Sequence, residues 1–342
     1  MPRRVSNPPN PWEASHAEWL GEPPEADLEV FEEEARSILA ENESPDVGFR
    51  WSLNPYRGCF HGCAYCYARP SHQYLGFGAG TDFERKIVVK TNAPELLRET
   101  LRRPSWRGET IALSGNTDCY QPLEAVYGLT RRCLEICAEF RNPVGIITKG
   151  ALVRRDVDLL AKMARETRVW VSLSIPFSDD RTGRAIEPNA SLPSQRFETL
   201  RILSSAGIPT GIGIAPVIPG LNDSDIPRLL ERAREAGAQS AFLTLLRLPA
   251  ETLPVFRERI AEALPDRAKR IFGAIAEVRG GKLNESEFGA RMRGVGPRWE
   301  AIEALFDAQC RRLGFNQPAA NERRSAFRRP SAQAELFESP SL

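Results

Sequence analysis

The 342-residue sequence predicts an α/β fold, a parallel sheet covered by helices. Six apolar or β-branched runs, at 48–54, 110–116, 144–149, 169–176, 209–217 and 240–246, alternate with helical patterns. Their starts lie 62, 34, 25, 40 and 31 residues apart, and all but the first gap fit one strand plus one helix. Strands that alternate with helices in this way pair in parallel with the helices outside. A hydrophobic fraction of 42% is normal for a chain that buries a full core. A closed or partial barrel would place ligand chemistry at the C-terminal ends of its strands.

In chain order, residues 1–26 are rich in Pro, Asn and Glu and read as an irregular arm. Residues 27–42 suit an acidic amphipathic helix, with Leu28, Phe31, Ala35, Ile38 and Leu39 at helical spacing. The helices between strands are expected near 94–103, 129–141, 156–167, 193–207, 225–237 and 253–264. Further helical patterns follow at 268–278 and 297–313. The tail from Asn316 is rich in Pro, Ser, Ala and Arg and reads as flexible. Its basic-aromatic cluster, Arg323, Arg324, Phe327, Arg328 and Arg329, reads as solvated.

No run of eighteen apolar residues is present, so no membrane helix is expected. The basic N-terminus has no apolar run after it, which argues against a signal peptide. Seven cysteines, an odd number, fit a reducing cytoplasm better than a disulfide scaffold. Residues 1–50 carry twelve acidic and four basic side chains, so the rest of a chain of net charge +1 stands at +9. A basic body is weak evidence for a nucleic-acid partner, and an acidic arm over a basic surface explains it equally.

The sharpest feature is Cys59-x3-Cys63-x2-Cys66, which directly follows the first strand. Three soft thiolates in eight residues can close around one metal centre. A structural zinc site usually takes four protein ligands. Three cysteines on a four-iron cluster leave one iron open. The competing readings are zinc completed by His61, His72 or a distant cysteine, or three core thiols. Cys133, Cys137 and Cys310 read as structural.

The loop resembles the cluster loop of the radical S-adenosylmethionine (SAM) superfamily, Cys-x3-Cys-x-aromatic-Cys, with Tyr65 in the aromatic slot. The longer string Cys-x-x-x-Cys-x-Tyr-Cys-Tyr-Ala is similar to the branch of spore photoproduct lyase and the DNA repair photolyases grouped with it. This resemblance implies a partial (β/α)6 barrel over 47–250; composition and periodicity add an N-terminal arm and helix at 1–46, a helical extension at 251–315 and a flexible tail at 316–342. It implies a [4Fe-4S] cluster on Cys59, Cys63 and Cys66, with SAM chelating the open iron. Reductive cleavage of SAM then yields a 5′-deoxyadenosyl radical that abstracts hydrogen from a substrate. A flavodoxin- or ferredoxin-like protein would supply the electron. A nucleic-acid lesion is the candidate substrate; the rival is a non-catalytic, metal- or cluster-containing nucleic-acid-binding protein.

The resemblance also implies site residues. Ser114, Gly115 and Asn116, after the second strand, occupy the place of the motif that meets the SAM amino group, or form an ordinary turn. Ser172 and Ser174 point to one side of the fourth strand, near the SAM ribose if that side is the interior. Glu187 and Arg196 would help hold SAM, or pair with each other on the surface. Ala215 and Val217 would pack on adenine, or belong to a generic Gly-rich strand. Lys149 ends the third strand, where it meets an anion or starts a loop. Tyr67 would relay hydrogen, or pack under the loop. Cys119, past the second strand, is the candidate hydrogen donor. The lyase keeps its cysteine next to the serine that aligns with Ser114; here that neighbour is Gly115, which puts the lyase reaction in doubt.

Overall fold

A computed structural model describes residues 27–317 and 326–330. The expected arm at 1–26 and Arg323 and Arg324 lie outside the described residues. The strands are β1 (Glu29–Glu33), β2 (Leu39–Glu41), β3 (Trp51–Leu53), β4 (Tyr56–Arg57), β5 (Lys86–Lys90), β6 (Ile111–Leu113), β7 (Val144–Thr148), β8 (Val169–Ser174), β9 (Thr210–Val217) and β10 (Ser240–Leu245). The helices are α1 (Thr81–Arg85), α2 (Ala93–Arg102), α3 (Glu124–Tyr127), α4 (Leu129–Glu139), α5 (Val157–Glu166), α6 (Asp180–Ile186), α7 (Pro193–Ser205), α8 (Ile226–Glu235), α9 (Thr252–Ala263), α10 (Pro265–Val278) and α11 (Gly296–Leu313).

The larger sheet runs β10-β9-β8-β7-β6-β3-β2. Its six strands β3 and β6 to β10 are parallel and coincide with the six apolar runs; β2 joins antiparallel at one edge. Helices α2, α4, α5, α7 and α8 each turn an apolar stripe onto the sheet, as Leu97 and Leu101, Leu134 and Cys137, Leu160 and Met163, Leu200 and Leu203, and Leu229 and Leu230 do. Inside the curve, glycines make room for neighbouring rings. A Cβ on Gly145 would lie 2.2 Å from the Trp170 ring, and one on Gly213 would lie 2.5 Å from the Phe242 ring. The free edge of β10 is covered. Asn316 donates to the Ala241 carbonyl and accepts from the Ala241 amide, both at 2.9 Å, and the Leu245 amide donates to the Met292 carbonyl at 3.1 Å. An edge strand covered in this way offers no template for another chain.

Two expectations are corrected here. Residues 27–42 form β1 and β2 rather than a helix. β1 pairs in parallel with β5, which also takes β4, making a second sheet of three strands. The Phe31 ring packs on Phe77 with centroids 5.3 Å apart. The tail segment 326–330 is docked rather than solvated. Phe327 stacks on Phe140 at 6.3 Å and fills the space left by Gly108, where a Cβ would sit 2.4 Å from it. Arg329 donates to the Arg103 and Trp106 carbonyls at 2.8 and 2.7 Å.

Candidate functional site

The loop that carries Cys59, Cys63 and Cys66 is fixed from several sides. Gly58 and Gly62 take positive φ, 76° and 63°, which turns the chain tightly before Cys59 and again before Cys63. Gln121 clamps the loop reciprocally: its Oε1 accepts from the Phe60 amide at 3.0 Å and its Nε2 donates to the Gly58 carbonyl at 3.3 Å. Asn189 donates to the Phe60 carbonyl at 3.0 Å. Arg69, fully buried, donates to the carbonyls of Cys63, Ala79 and Gly80 and pairs with the buried Glu84. Gln121 and Asn189 leave no local pattern in the sequence, because they lie 61 and 129 residues from Phe60.

All three cysteines line a cavity of about 1170 Å³ that runs from the C-terminal ends of the parallel strands down to Trp170 and Ser240 near their starts. Burial pushes the Cys63 and Cys66 thiols above their usual range. Thiols held this way ionise readily only against a metal. Among the described residues, no three His, Cys, Asp or Glu side chains converge tightly enough for a single metal ion. His72 is packed between Phe77 and Phe83, at 5.2 and 5.6 Å, with both ring nitrogens unpartnered. His61 faces Asp118, Nδ1 to Oδ2 at 3.4 Å. Burial would lower the His61 pKa, but Cys59 and Asp118 outweigh it and raise it to about 10. The donor set thus suits a larger sulfur-ligated cluster better than a zinc ion.

Around the same cavity stand Tyr65, Tyr67, Ser114, Gly115, Asn116, Ser172, Ser174, Ala215 and Lys149. Ser114 holds a left-handed φ of 79°, uncommon for a residue with a Cβ, and its Oγ accepts from the Cys119 amide at 2.9 Å. That bond closes the turn after β6. Gly115 approaches Ser52 so closely that a Cβ would lie 3.1 Å from the Ser52 Cβ. Its carbonyl accepts from the Tyr67 hydroxyl at 2.5 Å. Asn54 Oδ1 accepts from the Asn116 and Thr117 amides at 3.4 and 3.2 Å, which binds this turn to the end of β3. Lys149 places its ammonium 5.6 Å from the Tyr65 ring centroid.

Four expected residues stand elsewhere. Cys119 is fully buried in the main core, and its thiol does not line the cavity. The turn that begins at Ser114 carries it inward, so it is not on the active face. Glu187 and Arg196 are also buried outside the cavity lining. Glu187 accepts from the Tyr65 hydroxyl and pairs with Arg196, which donates onward to the Ser191 and Ser174 carbonyls at 2.7 and 2.8 Å. This interior brace stands behind Tyr65, and neither the SAM-contact reading nor the surface-pair reading describes it. Val217 is a core residue of β9.

A family model for the radical SAM superfamily matches residues 53–233. This chain belongs to the radical SAM superfamily. Membership carries a [4Fe-4S] cluster and SAM as cofactors, and Cys59, Cys63 and Cys66 are the residues that would hold the cluster. An uncharacterized protein of Mycobacterium tuberculosis is 41% identical over 224 residues, 65% of this chain and 66% of that protein, just under two thirds of its length. A protein of Pseudomonas phage M6 named radical SAM Nalpha-GlyT isomerase is 27% identical over 274 residues, covering 78% of this chain and 55% of the phage protein. Spore photoproduct lyase complexed with dinucleoside spore photoproduct shares the fold, with a TM-score of 0.61 at 14% identity over 87% of this radical SAM chain and 86% of the lyase. No helix among the described residues is long and apolar enough to cross a membrane.

Proposed function

We propose that this radical SAM enzyme directs hydrogen abstraction to a nucleic acid bound in the same cavity as SAM. The observation that carries the reading is the shape of that cavity. Its roughly 1170 Å³, shared by cluster and SAM, exceeds the ~300–1,000 Å³ of an ordinary small-ligand site, and we read the excess as room for a second molecule. Away from the cysteine wall it is lined by Phe49, Trp170 and Phe242. Aromatic faces accept stacked bases with little regard to sequence. The similar lyase fold binds a dinucleoside, which supports the same substrate class.

Cluster and SAM, when bound, supply the hydrogen-abstracting radical. The chain's own part is to orient and to exclude water. Ser114, Asn116, Ser172 and Ser174 offer hydrogen bonds to SAM from the ends of β6 and β8, and Lys149 offers a positive charge to its carboxylate. Tyr67, directly after Cys66, lines the cavity with its hydroxyl on the Gly115 carbonyl, and it is the residue we assign to hydrogen exchange with substrate. The only cysteines lining the cavity among the described residues are the three of the loop, so the reaction differs from one that uses a separate thiol. A flavodoxin- or ferredoxin-like protein is the proposed electron donor.

Titrating labelled single- and double-stranded DNA and RNA across a salt series tests the substrate class. Binding that weakens steeply as salt rises is expected. No binding to any of them at low salt would remove nucleic acid and leave a peptide or small molecule as substrate.

A further inference from the structure

Three lysine and arginine side chains line the cavity, Lys149, Arg247 and Arg293, beside His61, which faces Asp118. Arg293 is paired with Glu303 at 2.9 Å, and Lys149 has the Glu187 and Asp118 carboxylates as its charge partners. Arg247 differs. It lies two residues past the end of β10, at the mouth of the barrel, with its guanidinium 5.3 Å from the Tyr67 ring centroid. Its Nε is buried without a hydrogen-bond partner, and it makes no ion pair among the described residues. The nearby acid, Asp46, is already engaged. It takes Arg291 at 2.6 Å and the Gly289 amide at 2.7 Å. A half-buried guanidinium with one buried donor unmet is costly to keep unless something completes it. Its planar fork matches a two-oxygen anion.

We infer that Arg247 is a substrate-anchoring residue, whose fork takes an oxyanion of the second molecule, phosphate or carboxylate, and holds it beside Tyr67. The inference rests on the reading that a substrate shares the cavity with SAM. It adds that this substrate is anionic near the reacting position.

The test compares wild type, Arg247→Gln, Arg247→Lys and the exposed control Arg267→Gln, each as the reconstituted full chain with iron content checked. The probes are a labelled thymidine decamer, the same decamer with neutral methylphosphonate linkages, and a labelled decaglutamate peptide. For the charged decamer, Arg247→Gln is expected to weaken binding about tenfold and to lower the slope of log affinity against log salt by about one. Arg247→Lys recovers part of the loss, because it keeps charge without the fork. Arg267→Gln leaves binding as in wild type, and the neutral decamer does not sense the Arg247 change. A loss seen only with decaglutamate keeps the anchor, names carboxylate as its ligand, and ends the nucleic-acid reading. Equal binding of both charged probes by wild type and Arg247→Gln would overturn the anchor and leave the proposed function standing. Weakened SAM binding with unchanged probe binding would overturn it too, by assigning Arg247 to the cofactor. No binding of any probe by wild type would overturn both.

Discussion

Single replacement of Cys59, Cys63 or Cys66 by Ala is expected to strip the chain of iron. Anaerobically reconstituted wild type should hold about four irons and four sulfides. Each variant should hold close to none, because two thiolates cannot retain a cluster already one ligand short. The apoprotein loop should survive the change, since Gln121, Asn189 and the Arg69–Glu84 pair hold it through backbone atoms and not through sulfur. The loss is therefore specific and not a consequence of unfolding. Cys119→Ala is the matched control: its thiol lies in the core, outside the cavity lining, so that variant should keep its full iron. Iron and sulfide analysis beside far-UV circular dichroism checks the set. Iron lost from Cys119→Ala and kept in Cys63→Ala would reverse the assignment.

Arg196→Ala is expected to act on stability before it acts on SAM. Arg196 and Glu187 are both almost wholly removed from solvent, and the arginine satisfies two backbone carbonyls as well as the carboxylate. Removing one member of such a pair leaves an uncompensated buried charge, at a cost of about 3–5 kcal/mol. Tyr65 keeps Glu187 as its acceptor, but that carboxylate is left without its arginine. Denaturant unfolding of the apoprotein should report the loss without any cofactor present. The double variant Glu187→Ala/Arg196→Ala should cost less than the sum of the single changes, because residues in one network couple. Stability equal to wild type, with only SAM affinity reduced, would restore the direct-contact reading that the burial argues against.

The parallel sheet was legible because its strands are buried and bounded by breaks in pattern. Each of the six apolar runs contains or adjoins one observed strand. The failure at 27–42 has a physical source. Leu28, Phe31, Ala35, Ile38 and Leu39 do keep helical spacing, and the deciding partner, Lys86-Ile-Val-Val-Lys90, lies more than fifty residues away. That run, apolar between two lysines, was itself a strand signal.

In the site, the cysteine loop was legible because its ligands are local. Glu187 and Arg196 were named for the wrong surroundings, since residue type cannot tell a pair behind a wall from a pair in it. Cys119 was misplaced because distance past a strand was read as exposure, whereas the positive φ at Ser114 turns the chain back toward the core. Arg247 gave no signal in sequence, as its meaning depends on which acids other arginines have taken.

The most direct measurement is 5′-deoxyadenosine released from SAM by the anaerobically reconstituted, dithionite-reduced chain. The account predicts slow release without substrate, absent in Cys63→Ala. A chain that carries its full four-iron cluster yet neither binds nor cleaves SAM would contradict it.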